Sequence, residues 1–178
     1  MSTIRFNLPT ILTFSRIILI PFFVLITPKS PLLGITIFII ASATDFLDGY
    51  LARKSGQITK FGIILDPIAD KFLVISALIL LVDMVRLSAW VAIVIIVREF
   101  VVTTLRVVAL SKNIVIPAET GGKLKTASQM TAIILLLLPG GIGDLDFYDV
   151  GLVLMYIALI LALASGVKYT ISFWRQTQ

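Results

Sequence analysis

Four aspartates, two glycines and an arginine recur at fixed intervals in apolar surroundings: Asp45-x2-Asp48-Gly49-x2-Ala52-Arg53-x8-Gly62-x3-Asp66-x3-Asp70. An Asp at the centre of a membrane-inserting helix costs about 2.5–3.5 kcal/mol, so four on adjacent segments require a compensating partner. Oxygen-only donors suit a hard divalent cation, Mg2+ or Mn2+. Two such ions about 3.5–4 Å apart are the arrangement used in other phosphoryl-transfer sites. On a helix, Asp45 and Asp48 are i, i+3 neighbours, and Gly49 and Ala52 continue their stripe. Gly62, Asp66 and Asp70 follow at i, i+4 and i+8, giving a second stripe. The small residues leave room for a flat or bulky ligand between helix backbones. Arg53 offers a forked guanidinium for phosphate charge.

Two plainer readings compete. Charges at helix ends can snorkel to the membrane interface, which accounts for Arg53 and Lys54 but not for Asp66 and Asp70, roughly one to two turns inside their span. Intramembrane carboxylates also serve cation or proton transporters. The pairing of acids with glycines and an arginine favours a phosphate-bearing ligand, and a transporter stays open as the alternative class.

Positioning these residues falls to hydrophobic helices. Of the 178 residues 58% are hydrophobic and 14% charged, and the mean hydropathy is +1.07. Soluble domains hold roughly 45–50% apolar and about 25% charged residues. Apolar runs near 8–28, 32–52, 61–82, 88–111, 120–138 and 149–172 have spanning length, about 17–25 residues. The expectation is an all-α integral membrane protein, six transmembrane helices in one bundle, with residues 1–178 as a single domain. Arg5, then Arg53, Lys54 and Lys60, then Lys112, Lys123 and Lys125, then Lys168 and Arg175 fall on one side. The other side holds Lys29 and Arg86 beside Asp83, Asp144, Asp146 and Asp149. By the positive-inside rule both termini and the acidic hairpin face the cytoplasm.

The first apolar run carries Arg16 and ends at Pro28-Lys29-Ser30-Pro31 without a small-x-small cleavage pattern, so it is expected to be retained as a span. With neither cysteine nor histidine in the chain, there is no thiol nucleophile, no thiolate ligand and no imidazole base. The net charge of +5 lies along one membrane face, which suits anionic lipid and phosphorylated substrates and not nucleic acid.

The complete acidic pattern resembles the signature of the CDP-alcohol phosphatidyltransferase family, every position and spacing matched. The resemblance implies a six-helix membrane enzyme, usually a homodimer, that transfers a phosphatidyl or similar group from a CDP-activated donor to an alcohol and releases CMP. Carried onto this chain, it implies that Asp45, Asp48 and Asp66 hold two metals with Asp70 near them, and that Asp70 is the general base. Gly49, Ala52, Arg53, Thr59 and Gly62 would surround the cytidine and diphosphate, and Thr13 also stands in the donor-binding position. Many members carry Asn after the N-terminal Pro, where this chain has Thr10.

Three further segments are similar to a bacterial branch of that family: Phe6 to Arg16, Arg98-Glu99-Phe100 with Leu105-Arg106, and Gly122-Lys123-Leu124-Lys125-Thr126-x2-Gln129-Met130. Arg98 lies well inside the fourth span, where it must face protein and not lipid. Arg106 is eight residues on and broadly on the same face. Lys123 and Lys125 follow Gly121-Gly122 at a helix N-terminus, a natural anion site. Together these four would bind the phosphate of the acceptor. The plainer readings are an ion pair of Arg98 with Glu99 and a lipid-facing basic rim. The expected reaction transfers phosphatidyl from CDP-diacylglycerol to glycerol 3-phosphate at the cytoplasmic face of a bacterial inner membrane. Inositol phosphate, phosphatidylglycerol and serine are the alternative acceptors.

Overall fold

Each apolar run of spanning length is a helix. The structure, a computed structural model, describes residues 8–55, 60–111 and 120–177, with the side chains of residues 8–14, 45–55, 60–70, 110–111, 120–123 and 177 outside the description. Six helices follow in order: α1 (Leu8–Ile26), α2 (Pro31–Ser55), α3 (Lys60–Asp83), α4 (Ala89–Ser111), α5 (Thr120–Leu137) and α6 (Phe147–Thr177). The largest departure from the predicted bounds is at the end of α6, which runs to Thr177 and not 172. The all-α expectation omits one feature. Between α5 and α6 the chain forms a small antiparallel hairpin, β1 (Gly141–Ile142) with β2 (Leu145–Asp146), Gly141 opposite Asp146 and Ile142 opposite Leu145.

The chain divides into two compact units, 1–80 and 81–178. In the first, α1 and α2 form a tight helical hairpin. Thr27 ends α1 by donating both its N–H and its hydroxyl to the Phe23 carbonyl, at 3.1 and 2.5 Å. Ser30 precedes Pro31 at the first position of α2, where a missing N–H costs nothing. Gly34 then faces Thr27 so closely that a Cβ would overlap the Thr27 side chain. That approach lets the rings of Phe23 and Phe38 pack at 5.7 Å in a tilted pair, both fully buried.

The second unit is held by α6. Gly151 lies against Leu136, whose Cγ and backbone N would each be 3.0 Å from an added Cβ, so α5 and α6 meet nearly backbone to backbone. Asp146 caps α6, its carboxylate accepting the Tyr148 N–H at 2.9 Å. The turn after α3 is closed by bonds from Val85 N–H to the Val82 carbonyl and from Arg86 N–H to the Leu81 carbonyl. This is a Schellman arrangement, and it places Val85 at φ 57°. Arg86 then reaches the end of α5, donating to the carbonyls of Leu136 at 2.7 Å and Leu138 at 3.4 Å. Its charge complements the negative end of that helix.

The buried core is mostly apolar, but it also encloses polar side chains and the surface is rich in large apolar ones. Arg16, Thr27, Lys125 and Gln129 are buried, while Phe22, Leu25, Ile93, Phe100, Ile160 and Val167 are exposed. Large apolar side chains turned outward around polar ones turned inward fit a hydrocarbon solvent. Among the described residues α6 is long and apolar enough to cross a bilayer, and shorter apolar stretches lie at 15–26, 31–44 and 124–137.

Candidate active site

The acidic pattern lies on helical backbone throughout. Asp45, Asp48, Gly49, Ala52 and Arg53 fall in the last turns of α2, and Gly62, Asp66 and Asp70 in the first turns of α3. The i, i+3 and i, i+4 spacings therefore place the carboxylates of each helix along one stripe. Two stripes of oxygen donors without nitrogen or sulfur match the preference of a hard divalent ion. The same backbone places Thr13 in α1 and Lys123 in the first turn of α5. The side chains of all these residues, and Thr59 altogether, lie outside the description. Leading into Asp45, Ser42 and Thr44 return their hydroxyls to the carbonyls of Phe38 and Ala41, each at 2.8 Å. The hydroxyls beside the acidic stripe are thereby satisfied within the helix.

A second polar cluster lies within the second unit, on α4, α5 and α6. Arg98 of α4 donates from Nε to the Ala162 carbonyl at 2.8 Å and from Nη2 to Ser165 Oγ at 2.6 Å, both on α6. From Nη1 it donates to Glu99 Oε1 at 2.8 Å. The same carboxylate oxygen receives the amine of Lys125 from α5. Arg98 and Lys125 are 12% and 7% exposed at their side chains, so both cations are shielded from solvent and lean on one acid. Local sequence explains the fit. Gly166 leaves open the space over which the Arg98 stem passes, since a Cβ there would stand 3.4 Å from both Cγ and Nε. Ser165 returns its own proton to the Ala162 carbonyl at 3.1 Å.

The ion pair of Arg98 with Glu99 foreseen as the plainer reading is present, and Lys125 shares it. Arg106 is placed differently. It is exposed, and its guanidinium carbon lies 5.9 Å from the centre of the Tyr169 ring on α6, a cation–π contact. Sequence reasoning missed Ser165 and Gly166, which have no significance until α6 is set beside α4. It also gave no role to Gln129, although that residue stands in a motif.

Of the residues that the sequence singled out, the aspartates thus lie on two helical stripes and Arg98 and Lys125 share one carboxylate, while Arg106 stands apart on Tyr169. The family model described as CDP-alcohol phosphatidyltransferase matches residues 6–164. A Bacillus subtilis protein named CDP-diacylglycerol–glycerol-3-phosphate 3-phosphatidyltransferase is 42% identical over 95% of this chain and 96% of its own length. Proteins of the same name from Haemophilus influenzae and Escherichia coli K12 are each 40% identical, covering 93% of this chain and 92% and 93% of their own.

Proposed function

The chain belongs to the CDP-alcohol phosphatidyltransferase family, and from that premise we propose that it moves a phosphatidyl group from CDP-diacylglycerol to glycerol 3-phosphate, giving phosphatidylglycerol phosphate and CMP. It is a transferase, so the transporter alternative falls away. The observation that carries the acceptor is the near-complete alignment with relatives named for glycerol 3-phosphate. The two largely shielded cations sharing Glu99 support it, because that cluster has positive charge in excess.

In this reading Asp45, Asp48, Asp66 and Asp70 hold divalent metal, two ions of Mg2+ or Mn2+. Bound there, the metal supplies positive charge to the donor's diphosphate. Thr13, Gly49, Ala52, Arg53, Thr59 and Gly62 hold the donor, the small residues by leaving space and Arg53 by pairing with phosphate. Asp70 takes the proton from the acceptor's primary hydroxyl, whose oxygen attacks the phosphorus beside the diacylglycerol. The phosphorus–oxygen bond to CMP breaks as the new one forms. Arg98, Arg106, Lys123 and Lys125 hold the acceptor phosphate, with Lys125 exchanging part of its contact with Glu99 for it.

The whole chain, 1–178, forms one catalytic domain that works as a homodimer in the bacterial inner membrane. Its six spans place both termini and the chemistry at the cytoplasmic face. There the donor's acyl chains stay in the bilayer while its headgroup meets a soluble acceptor. The test is purified protein with CDP-diacylglycerol, Mg2+ or Mn2+ and a panel of alcohols, following CMP and lipid product together. Glycerol 3-phosphate is expected to give stoichiometric CMP and phosphatidylglycerol phosphate. Product from inositol phosphate, serine or phosphatidylglycerol and none from glycerol 3-phosphate would overturn the acceptor.

A further inference from the structure

The inward face of α5 carries Lys125, Gln129, Ala132, Ile133 and Leu136, polar at its first two positions and apolar beyond. Gln129 is only 4% exposed, and its Nε2 is buried without a hydrogen bond. Buried side-chain amides are nearly always paired, and an apolar residue of the same shape would be cheaper at such a site. The neighbours are served: Lys125 by Glu99, and Arg98 by Ala162, Ser165 and Glu99. Gln129 lies one turn from Lys125 on the same face, about 5–6 Å between Cβ atoms. It also belongs to the Gly122 to Met130 run to which the proposed mechanism assigns only the lysines.

We propose that Gln129 is a specificity-determining residue that hydrogen-bonds the non-reacting hydroxyl of a phosphorylated polyol whose phosphate is held by Lys125 and Arg98. The inference rests on the transfer reading above. A primary amide carries a donor and an acceptor side by side, which matches a hydroxyl, itself donor and acceptor. A phosphate dianion is better served by the cations one turn away. The Gln129 Nε2, buried without a hydrogen bond, would gain its partner when the right alcohol arrives. An analogue without that hydroxyl leaves it orphaned, which is how a polar pocket rejects a smaller ligand.

The test compares glycerol 3-phosphate with 3-hydroxypropyl phosphate, which keeps the phosphate and the primary hydroxyl and lacks the middle one. Wild-type protein is expected to prefer glycerol 3-phosphate in kcat/KM. Gln129→Met should reduce that preference about tenfold, with kcat/KM for the analogue within about twofold of wild type and the thermal midpoint unchanged or raised. Gln129→Asn, which keeps a shorter amide, should fall between the two. An unchanged preference in Gln129→Met, or an equal fall with both acceptors, overturns the inference. If the Met variant does not fold, wild-type preference in Gln129→Asn overturns it as well. Wild-type protein that makes no lipid product from either acceptor defeats the transfer reading itself, a result distinct from an unaltered preference.

Discussion

Asp70 and Arg98 illustrate two kinds of burdened residue. With Asp70 as the proposed base, Asp70→Asn should lower kcat by at least about 100-fold while donor binding persists. Single-turnover CMP release with a separate CDP-diacylglycerol binding assay checks it, and substantial residual turnover would remove Asp70 as base. Arg98 acts through geometry: two of its three bonds tie it to α6. Ser165→Ala removes one of them and should raise the acceptor KM roughly fivefold with little change in kcat, the worth of about 1 kcal/mol. Arg98→Lys should be worse, since an ammonium cannot reach the Ala162 carbonyl, Ser165 and Glu99 with one fixed fork. The acidic pattern was legible from its spacing, and the Arg98–Glu99 pair because its partners are adjacent in sequence. Ser165 and Gly166 were not, because their partner is 64 or more positions away and only helix packing brings it near.

At the scale of elements, six helices were readable because each apolar run is long enough to be helical and is bounded by a polar or Pro-containing connection. The turn at Val85 was not, since a β-branched residue in the left-handed region contradicts its own preference. Glycine is the usual occupant of that Schellman position, so Val85→Gly should stabilise the second unit by about 1 kcal/mol, read as a higher thermal midpoint in detergent. Val85 is 87% exposed, so no packing is lost with it. The opposite is expected at Gly34, where Gly34→Ala drives a methyl into Thr27 and should destabilise by about 1–3 kcal/mol. Adding Thr27→Ala removes the Oγ1 overlap and should recover part of the loss. The β1–β2 hairpin was missed for a simpler reason. Two residues per strand are too few for an alternating pattern, although Gly140-Gly141 and Gly143-Asp144 mark the turns, with Gly140 and Gly143 at φ 86° and 60°.

For the whole molecule, the proposed topology rests on the distribution of Lys and Arg and can be tested by single replacements. A chain with no cysteine is a clean background for single replacements. In intact cells a membrane-impermeant thiol reagent should label Lys29→Cys and Asp144→Cys and spare Lys112→Cys and Gln178→Cys, and the reverse pattern would invert the orientation. The polar cluster on α4, α5 and α6 also bears on biosynthesis. In the proposed six-span topology Arg98 leaves the ribosome directly before Glu99, so α4 would enter the bilayer with its cation already countered by a neighbour. When α5 follows, Lys125 finds that carboxylate waiting, and α6 arrives last with the carbonyl and hydroxyl that complete the guanidinium's bonds. Each later helix would thus meet its partner group on one already inserted, and none of the three cluster charges on α4 and α5 would have to wait alone in lipid for a helix not yet made.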